Sequence, residues 1–272
     1  MTEARAKPEI DVRYCSTLAE YEECVRIEHL VWGEEISVPS GLFVVAHHTG
    51  GQTLGAFDPA ATATAGAGGG RARMVGFTLA LAAHRAGKPF LHSHLTGVLP
   101  EARDRGVGRR LKLFQREDAL KRGMDLVEWT FDPLNLKNAH FNIMRLGAVV
   151  RRFIPNCYGI TESPLHGGIP TDRLVAEWWL TSERVKSILA GRIPAMSASV
   201  ERISLPANLA EIQAKDREAA IRIQADAREK FERWLAKGYA VTRFETRDAE
   251  ASYFLEPAKS VAGLTFHDSA ED

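Results

Sequence analysis

Apolar and polar positions alternate in two different rhythms along this chain, and the rhythm changes several times before residue 180. Residues 10–16 ("IDVRYCS") read as a short strand. Residues 17–33 ("TLAEYEECVRIEHLVWG") then space Leu18, Tyr21, Val25, Glu28 and Val31 as one face of a helix that Gly33 stops, although Glu28 makes that stripe imperfect. The run "SGLFVVAHHTGG" (40–51) suits a short helix ending at Gly50 and Gly51 and also suits a strand. "QTLGAFD" (52–58), "RMVGFTLALAAH" (73–84) and "PFLHSHLTGVL" (89–99) carry strand-like runs. The Ala/Gly/Thr-rich stretch 59–72 lacks large apolar residues and reads as a loop joining two of these strands.

Residues 106–123 return to helical spacing, with Val107, Leu111, Phe114 and Leu120 near one face and Gly123 as the stop. "MDLVEWTFDP" (124–133) is a strand ended by Pro133, "NLKNAHFNIMRLG" (135–147) a helix ended by Gly147. "AVVRRFIPNCYG" (148–159) and "DRLVAEWWLT" (172–181) are two more strands around a turn-rich segment. After residue 181 the pattern becomes one long charged helix over 208–238 with an apolar stripe, then a hairpin over 239–256. The expected organisation is a mixed α/β (α+β) body over residues 1–180, with a mostly antiparallel central sheet and flanking helices. A helix-and-hairpin extension over 181–272 packs onto it. The stripe on the long helix suits its own sheet best and would also suit a homodimer.

Composition narrows the function. The chain has 272 residues, enough to bury a core without disulfide or metal, and 35 basic residues balance 35 acidic ones. Zero net charge argues against general attraction to nucleic acid or an acidic membrane. Three cysteines in no metal spacing, a first segment with no apolar core, and no run near the roughly 20 residues that span a bilayer fit a reducing, cytoplasmic setting. His47, His48, His84, His140 and His166 are too scattered to predict a metal site.

The most informative stretch is "VLPEARDRGVGRRL" (98–111), where a strand ends and a helix begins. The first turn of a helix presents unpaired N–H groups and a partial positive charge, which together hold anions such as phosphates. Gly106 and Gly108 allow close approach, and Arg103, Arg105, Arg109 and Arg110 supply cationic donors. A dinucleotide fingerprint would need a third glycine where Leu111 stands. The glycine-rich segment 59–72 lacks the Lys-Ser/Thr ending of a P-loop.

The spacing Arg103-x-x-Gly106-x-Gly108, preceded by Val98-Leu99-Pro100 and followed by a helix, a strand and a helix ending Leu146-Gly147, resembles the signature of the GCN5-related N-acetyltransferase (GNAT) superfamily over residues 10–180. The resemblance implies an acyl-CoA ligand, acetyl-CoA by default and succinyl-CoA as the alternative. The amides of Arg105, Gly106, Val107, Gly108 and Arg109 would hold its pyrophosphate, and the main chain of Gly97 and Val98 its pantetheine arm. Asn138 would be a polar neighbour of the cofactor. Many relatives place a tyrosine four residues before the terminal glycine of the later helix, and here that position is Ile143, so either the acid comes from elsewhere, for example Tyr158, or the thiolate leaves without help, which its modest basicity permits.

Transfer of an acyl group to an amine needs a neutral amine and a stabilised oxyanion. His92 and His94 lie two apart on the strand entering the motif, which alternation places on one face with Thr96. His94 precedes Arg103 by nine residues, a spacing similar to that of arylalkylamine N-acetyltransferases, and the pair suits a proton relay. The bland reading is two strand histidines bonded within the sheet. Glu128, a carboxylate in the apolar run "LVEWTF", is the rival base, with an outward-facing residue as its bland reading. Arg151 and Arg152 adjoin on a strand, so alternation sends them to opposite faces, and Arg152 is the candidate for a substrate carboxylate. Trp178 and Trp179 read as core. The sequence thus predicts an acyl-CoA-dependent N-acyltransferase acting on a small-molecule amine, with no metal. Its alternatives are an N-succinyltransferase of amino acids and a non-catalytic acyl-CoA binder.

Overall fold

The computed structural model describes residues 9–34, 37–62, 72–159 and 168–261. Most of the glycine-rich segment 59–72, His166 and the residues from 262 onward lie outside them. The chain divides into two compact units, Met1–Met124 and Asp125–Asp272.

In the first unit, β1 (Asp11–Tyr14), β2 (Gln52–Thr62), β3 (Ala72–Arg85) and β4 (Lys88–Val98) form an antiparallel array in the order β1-β2-β3-β4. Three helices accompany them: α1 (Leu18–Trp32), α2 (Ser40–His48) and α3 (Val107–Lys121). Thr17 caps α1 by accepting from the Glu20 amide. The ambiguous run 40–51 resolves as helix α2. Its exit needs Gly51, where a Cβ would sit 2.3 Å from the Ala80 carbonyl oxygen and 2.7 Å from that of Ala46. Helix and strand touch there through backbone alone. Ile27, Phe43, Leu54, Phe77, Leu79 and Leu111 are fully buried in this unit's core. Asp118 on α3 accepts from Tyr14 Oη on β1 and from Gln52 Nε2 on β2, each at 2.7 Å.

In the second unit the strands are β5 (Leu126–Phe131), β6 (Val149–Ile154), β7 (Arg173–Trp179), β8 (Glu201–Pro206), β9 (Tyr239–Arg247) and β10 (Glu250–Pro257), ordered β5-β7-β6-β9-β10-β8 with antiparallel neighbours. The helices are α4 (Leu136–His140), which runs on into a π turn over Phe141–Arg145, then α5 (Glu183–Leu189), α6 (Leu209–Lys215) and α7 (Arg217–Ala236). The single helix expected over 208–238 is broken, because Asp216 leaves helical geometry and caps α7 through the Ala219 amide. Helix α5 and strand β8 were not expected. Each is too short to establish a period, and β8 contributes only Ile203 and Leu205 to the interior. The terminal segment joins this sheet through β9 beside β6 and is locked by Arg228 of α7, which forks onto the buried Asp172 at 2.6 and 3.0 Å.

Candidate functional site

Strand β4 leads into the loop that the sequence singles out. After Val98 come Leu99, a 3-10 turn (Pro100–Ala102) and then two left-handed residues, Asp104 (φ 59°) and Gly106 (φ 77°), before α3 begins. Gly106 is the N-cap and has no side chain to satisfy the first amides of α3. A Cβ added at Gly106 would meet nothing within 4 Å, and one at Gly108 would find only Val98 Cγ2, at 3.9 Å. Packing therefore does not require glycine at 108. The space in front of the helix tip is open, and the amides from Arg105 to Arg109 border it.

The arginines divide their work. Arg105 pairs with buried Asp58 at 2.7 Å, Arg110 pairs with Glu9, and Arg103 turns back to donate from Nε to the Val98 carbonyl at 3.3 Å. Among the described residues Arg109 has no ion pair and stays half-buried beside the helix tip. The anion-binding capacity of this tip thus rests on backbone amides, the helix dipole and Arg109 more than on four convergent guanidinium groups.

A bulge shapes β4. Leu95 pairs with Leu79 and Ser93 with Ala80, so His94 is an extra residue in the ladder. His92 and His94 remain neighbours, with ring centroids 6.3 Å apart. Thr96 moves to the other face from His92, where its hydroxyl meets Thr78 at 3.1 Å, which corrects the shared face that simple alternation predicts. His94 keeps contact with solvent, yet the atoms around its ring desolvate it and hold its pKa below the ordinary imidazole value.

The register also defines two sides of β4. Gly97 shares its face with His92, and a Cβ there would strike Phe77 at 2.8 Å and the Trp32 ring at 3.2 Å, so α1 lies over this side. One helical turn before Trp32 stands Glu28. It is fully buried, its Oε1 accepts from the Val38 amide at 3.1 Å, and its Oε2 has no hydrogen-bond partner among the described residues. Burial pushes its pKa up to about 7, against the lowering effect of the Val38 amide.

The opposite side of β4 faces α3. There Lys112 is buried, with Nζ donating to Ser93 Oγ at 2.7 Å and to Gln115 Oε1 at 3.0 Å. Desolvation brings its pKa down from 10.5 to about 7. A lysine with a depressed folded pKa binds its proton in the unfolded chain first. Between pH 7 and 10 the unfolded state therefore carries more protons, and stability rises with pH. We expect the free energy of unfolding to increase across that interval by up to about 1.4 kcal/mol per pH unit, and Lys112→Met to flatten the slope. Chemical denaturation of both proteins at four pH values measures this.

In the second unit a polar cluster occupies one face of β5, β7 and β6. Glu128 and Glu177 are directly opposite each other on β5 and β7, and both are buried. Arg152 reaches Glu128 at 2.6 Å and Glu177 at 3.5 Å, while Arg151 pairs with Glu177 at 2.8 Å. Both arginines therefore point to the same face. The ladder slips between Val150 and Arg152, and that bulge at Arg151 cancels the alternation that would have separated them. Thr130, two residues after Glu128, shares its face and meets the Tyr158 hydroxyl at 3.1 Å. Asn138 is exposed on α4 and its amide is bound by the N-cap Asn135. Ile143 is buried within the π turn, where Leu146 N bonds Phe141 O. That extra residue per turn shifts any count made back from Gly147. Trp178 is fully buried, and Trp179 is half-buried with its Nε1 on Glu177.

The β4–α3 loop, His92, His94 and Glu128 stand out in the sequence as candidates, whereas Glu28 and Lys112 do not. The only signal for Glu28 was its place on an otherwise apolar stripe. Among the described residues, no group of three or more His, Cys, Asp or Glu side chains gathers as for a metal ion, and no helix is long and apolar enough to cross a membrane.

No protein-family model matches this sequence, and no curated protein does. Solved structures do. Arabidopsis thaliana NAA60, seen with acetyl-CoA and with a bisubstrate analogue, is 14% identical over 63% of this chain and 99% of its own, at TM-score 0.50. The ribosomal-protein-S18-alanine N-acetyltransferase of Escherichia coli is 14% identical over 62% and 92%, at TM-score 0.47. The likeness to NAA60 is one of fold, and it places the chain's mixed, mostly antiparallel α/β architecture among the GNAT-type folds.

Proposed function

We propose that this protein is an acyl-CoA-dependent N-acyltransferase, acetyl-CoA being the default donor, acting on a small-molecule amine in the cytoplasm. The observation that carries the reading is the open tip of α3. Two left-handed residues, a glycine N-cap and a second glycine that packing does not require frame the first amides of α3, in a chain whose fold is similar to that of NAA60, a structure seen with acetyl-CoA. A diphosphate fits that chemistry: it needs several donors on one side and no side chain in the way. The amides of Arg105, Gly106, Val107, Gly108 and Arg109 would hold the pyrophosphate, Arg103 would stay on the strand end, and Gly97 and Val98 would line the pantetheine arm. Asn138 is the further polar neighbour assigned to the cofactor.

When bound, the thioester supplies an activated acyl group. The chain's own work is to orient it and to manage protons. His94, whose protonated form desolvation disfavours, and His92 beside it suit a relay that carries the amine's proton to water. Glu128 is charge-paired with Arg152, which suits the two to holding one another rather than to independent roles. A succinyl donor, with a carboxylate for Arg152, is the alternative this cluster would serve.

The test is direct. Acetyl-CoA and succinyl-CoA are added separately in thermal-shift measurements, and thiol release is then followed with amino acids, arylalkylamines and short peptides as acceptors. At a ligand concentration about 100 times Kd, binding adds about 2.7 kcal/mol, so a clear rise in Tm is expected with one donor, followed by acceptor-dependent thiol release. Absence of any shift with either donor would overturn the reading.

A further inference from the structure

We propose that Glu28 is the residue that receives the acceptor amine, its free carboxylate oxygen accepting an N–H hydrogen bond from the amino group and then one of its protons. This rests on the acyltransferase reading and adds the acceptor's binding group to it.

Glu28 has no solvent exposure, yet only one of its oxygens is used: Oε1 takes the Val38 amide, while Oε2 is buried with no donor among the described residues. Buried acceptors are almost always satisfied, and a carboxylate oxygen left without a donor is a site awaiting one. The Val38 bond spans the α1–α2 connection, where His29 also meets Ser37 at 2.8 Å, so the carboxylate is fixed rather than swinging. Its helix lies on the His92 face of β4, with Trp32, one turn further on, against Gly97. That is the strand along which the acyl arm is assigned.

The complementary group is a hydrogen-bond donor able to give up a proton. No described arginine or lysine supplies it. Titratable and charged side chains do stand on the elements packed against α1: His47 and His48 on α2, Asp58 on β2, Arg73, His84 and Arg85 on β3, Lys88, His92 and His94 on β4. None of them acts on Glu28, whose ionisation is governed by burial and the Val38 amide alone. A primary amine fits. Its ammonium gives one proton to the Glu28 carboxylate, leaving R–NH2 and a neutral carboxyl. Nitrogen then bonds to the thioester carbon and the C–S bond breaks. Of the two protons remaining on nitrogen, one is lost to the departing thiolate, while Glu28 passes its own to the His94–His92 relay and so to water.

Two measurements test this. In the wild-type protein with 13C-labelled glutamate, the Glu28 δ-carbon should titrate near neutral pH, and phenethylamine or alanine amide should shift its resonance. In kinetics, Glu28→Gln keeps the Val38 bond and the side-chain shape. It should raise the acceptor KM about 10- to 100-fold, remove the acid limb of kcat/KM, and leave the acetyl-CoA thermal shift unchanged. A δ-carbon indifferent to both amines, or a Gln variant with the wild-type KM and pH profile, overturns the proposal. If the amines shift the Glu28 resonance and no acyl-CoA stabilises the protein, the amine site stands and the acyltransferase reading fails.

Discussion

Gly108→Asp should abolish coenzyme A binding while leaving the fold intact. The structure explains both halves. A Cβ at 108 meets only Val98 Cγ2, at an ordinary 3.9 Å, so a side chain there is sterically acceptable to the protein. The same side chain projects into the open space bordered by the first amides of α3, and it brings a negative charge to the place where a pyrophosphate would sit. Asp near a helix N-terminus is itself mildly stabilising, so Tm should not fall. Blocking two amide–phosphate bonds, each worth about 1.5–3 kcal/mol when one partner is charged, weakens binding by roughly 100- to 20,000-fold. Isothermal titration with coenzyme A measures the loss. Gly108→Ala separates shape from charge and should cost less. Gly106→Asp is the poorer experiment, because φ of 77° strains any substituent and mixes folding with binding. Unaltered affinity in Gly108→Asp would remove the helix tip from the site.

What could be read from sequence was local. The β4–α3 passage was legible because every device in it lies within fourteen residues: an apolar strand, a proline, and glycines at a cap where a left-handed residue precedes a helix. Facing relationships were not legible wherever one extra residue slips into a regular element. The bulge at His94 moves Thr96 off the His92 face, the bulge at Arg151 brings Arg151 and Arg152 together, and the π turn at Phe141–Arg145 shifts the count that led to Ile143. Period arguments assume a constant number of residues per repeat, and each of these places violates that assumption beside a candidate residue. Glu28 was hidden for another reason. A polar residue on an apolar stripe reads as a flaw in a helix until its burial and its unpartnered oxygen are known. The arginines were counted correctly, but their carboxylate partners Asp58 and Glu9 lie 47 and 101 residues away, beyond any local pattern.

Trp178→Ala should destabilise the second unit by about 3–5 kcal/mol, the largest stability effect expected of a single change here. Trp178 lies next to the last residue of β7, is wholly buried, meets Trp129 edge-to-face at 6.1 Å and donates from Nε1 to the Leu146 carbonyl at 2.7 Å. That carbonyl belongs to the end of the helix whose Leu-Gly terminus formed part of the resemblance. The next residue, Gly147, has φ of 85°, and a Cβ there would lie 3.2 Å from Val185 Cα on α5. The indole therefore fills the core and ties off a helix end that packing has closed to water. Trp178→Phe separates the two roles. It keeps most of the ring and strands one carbonyl, a cost of about 1–3 kcal/mol. With roughly 2–4 °C lost per kcal/mol for a protein of this size, the alanine variant should melt about 10 °C lower and the phenylalanine variant fall in between. A tryptophan serving as a substrate cage would behave in the opposite way, raising the acceptor KM with little change in Tm, so the same two variants measured for both properties decide between core and cage.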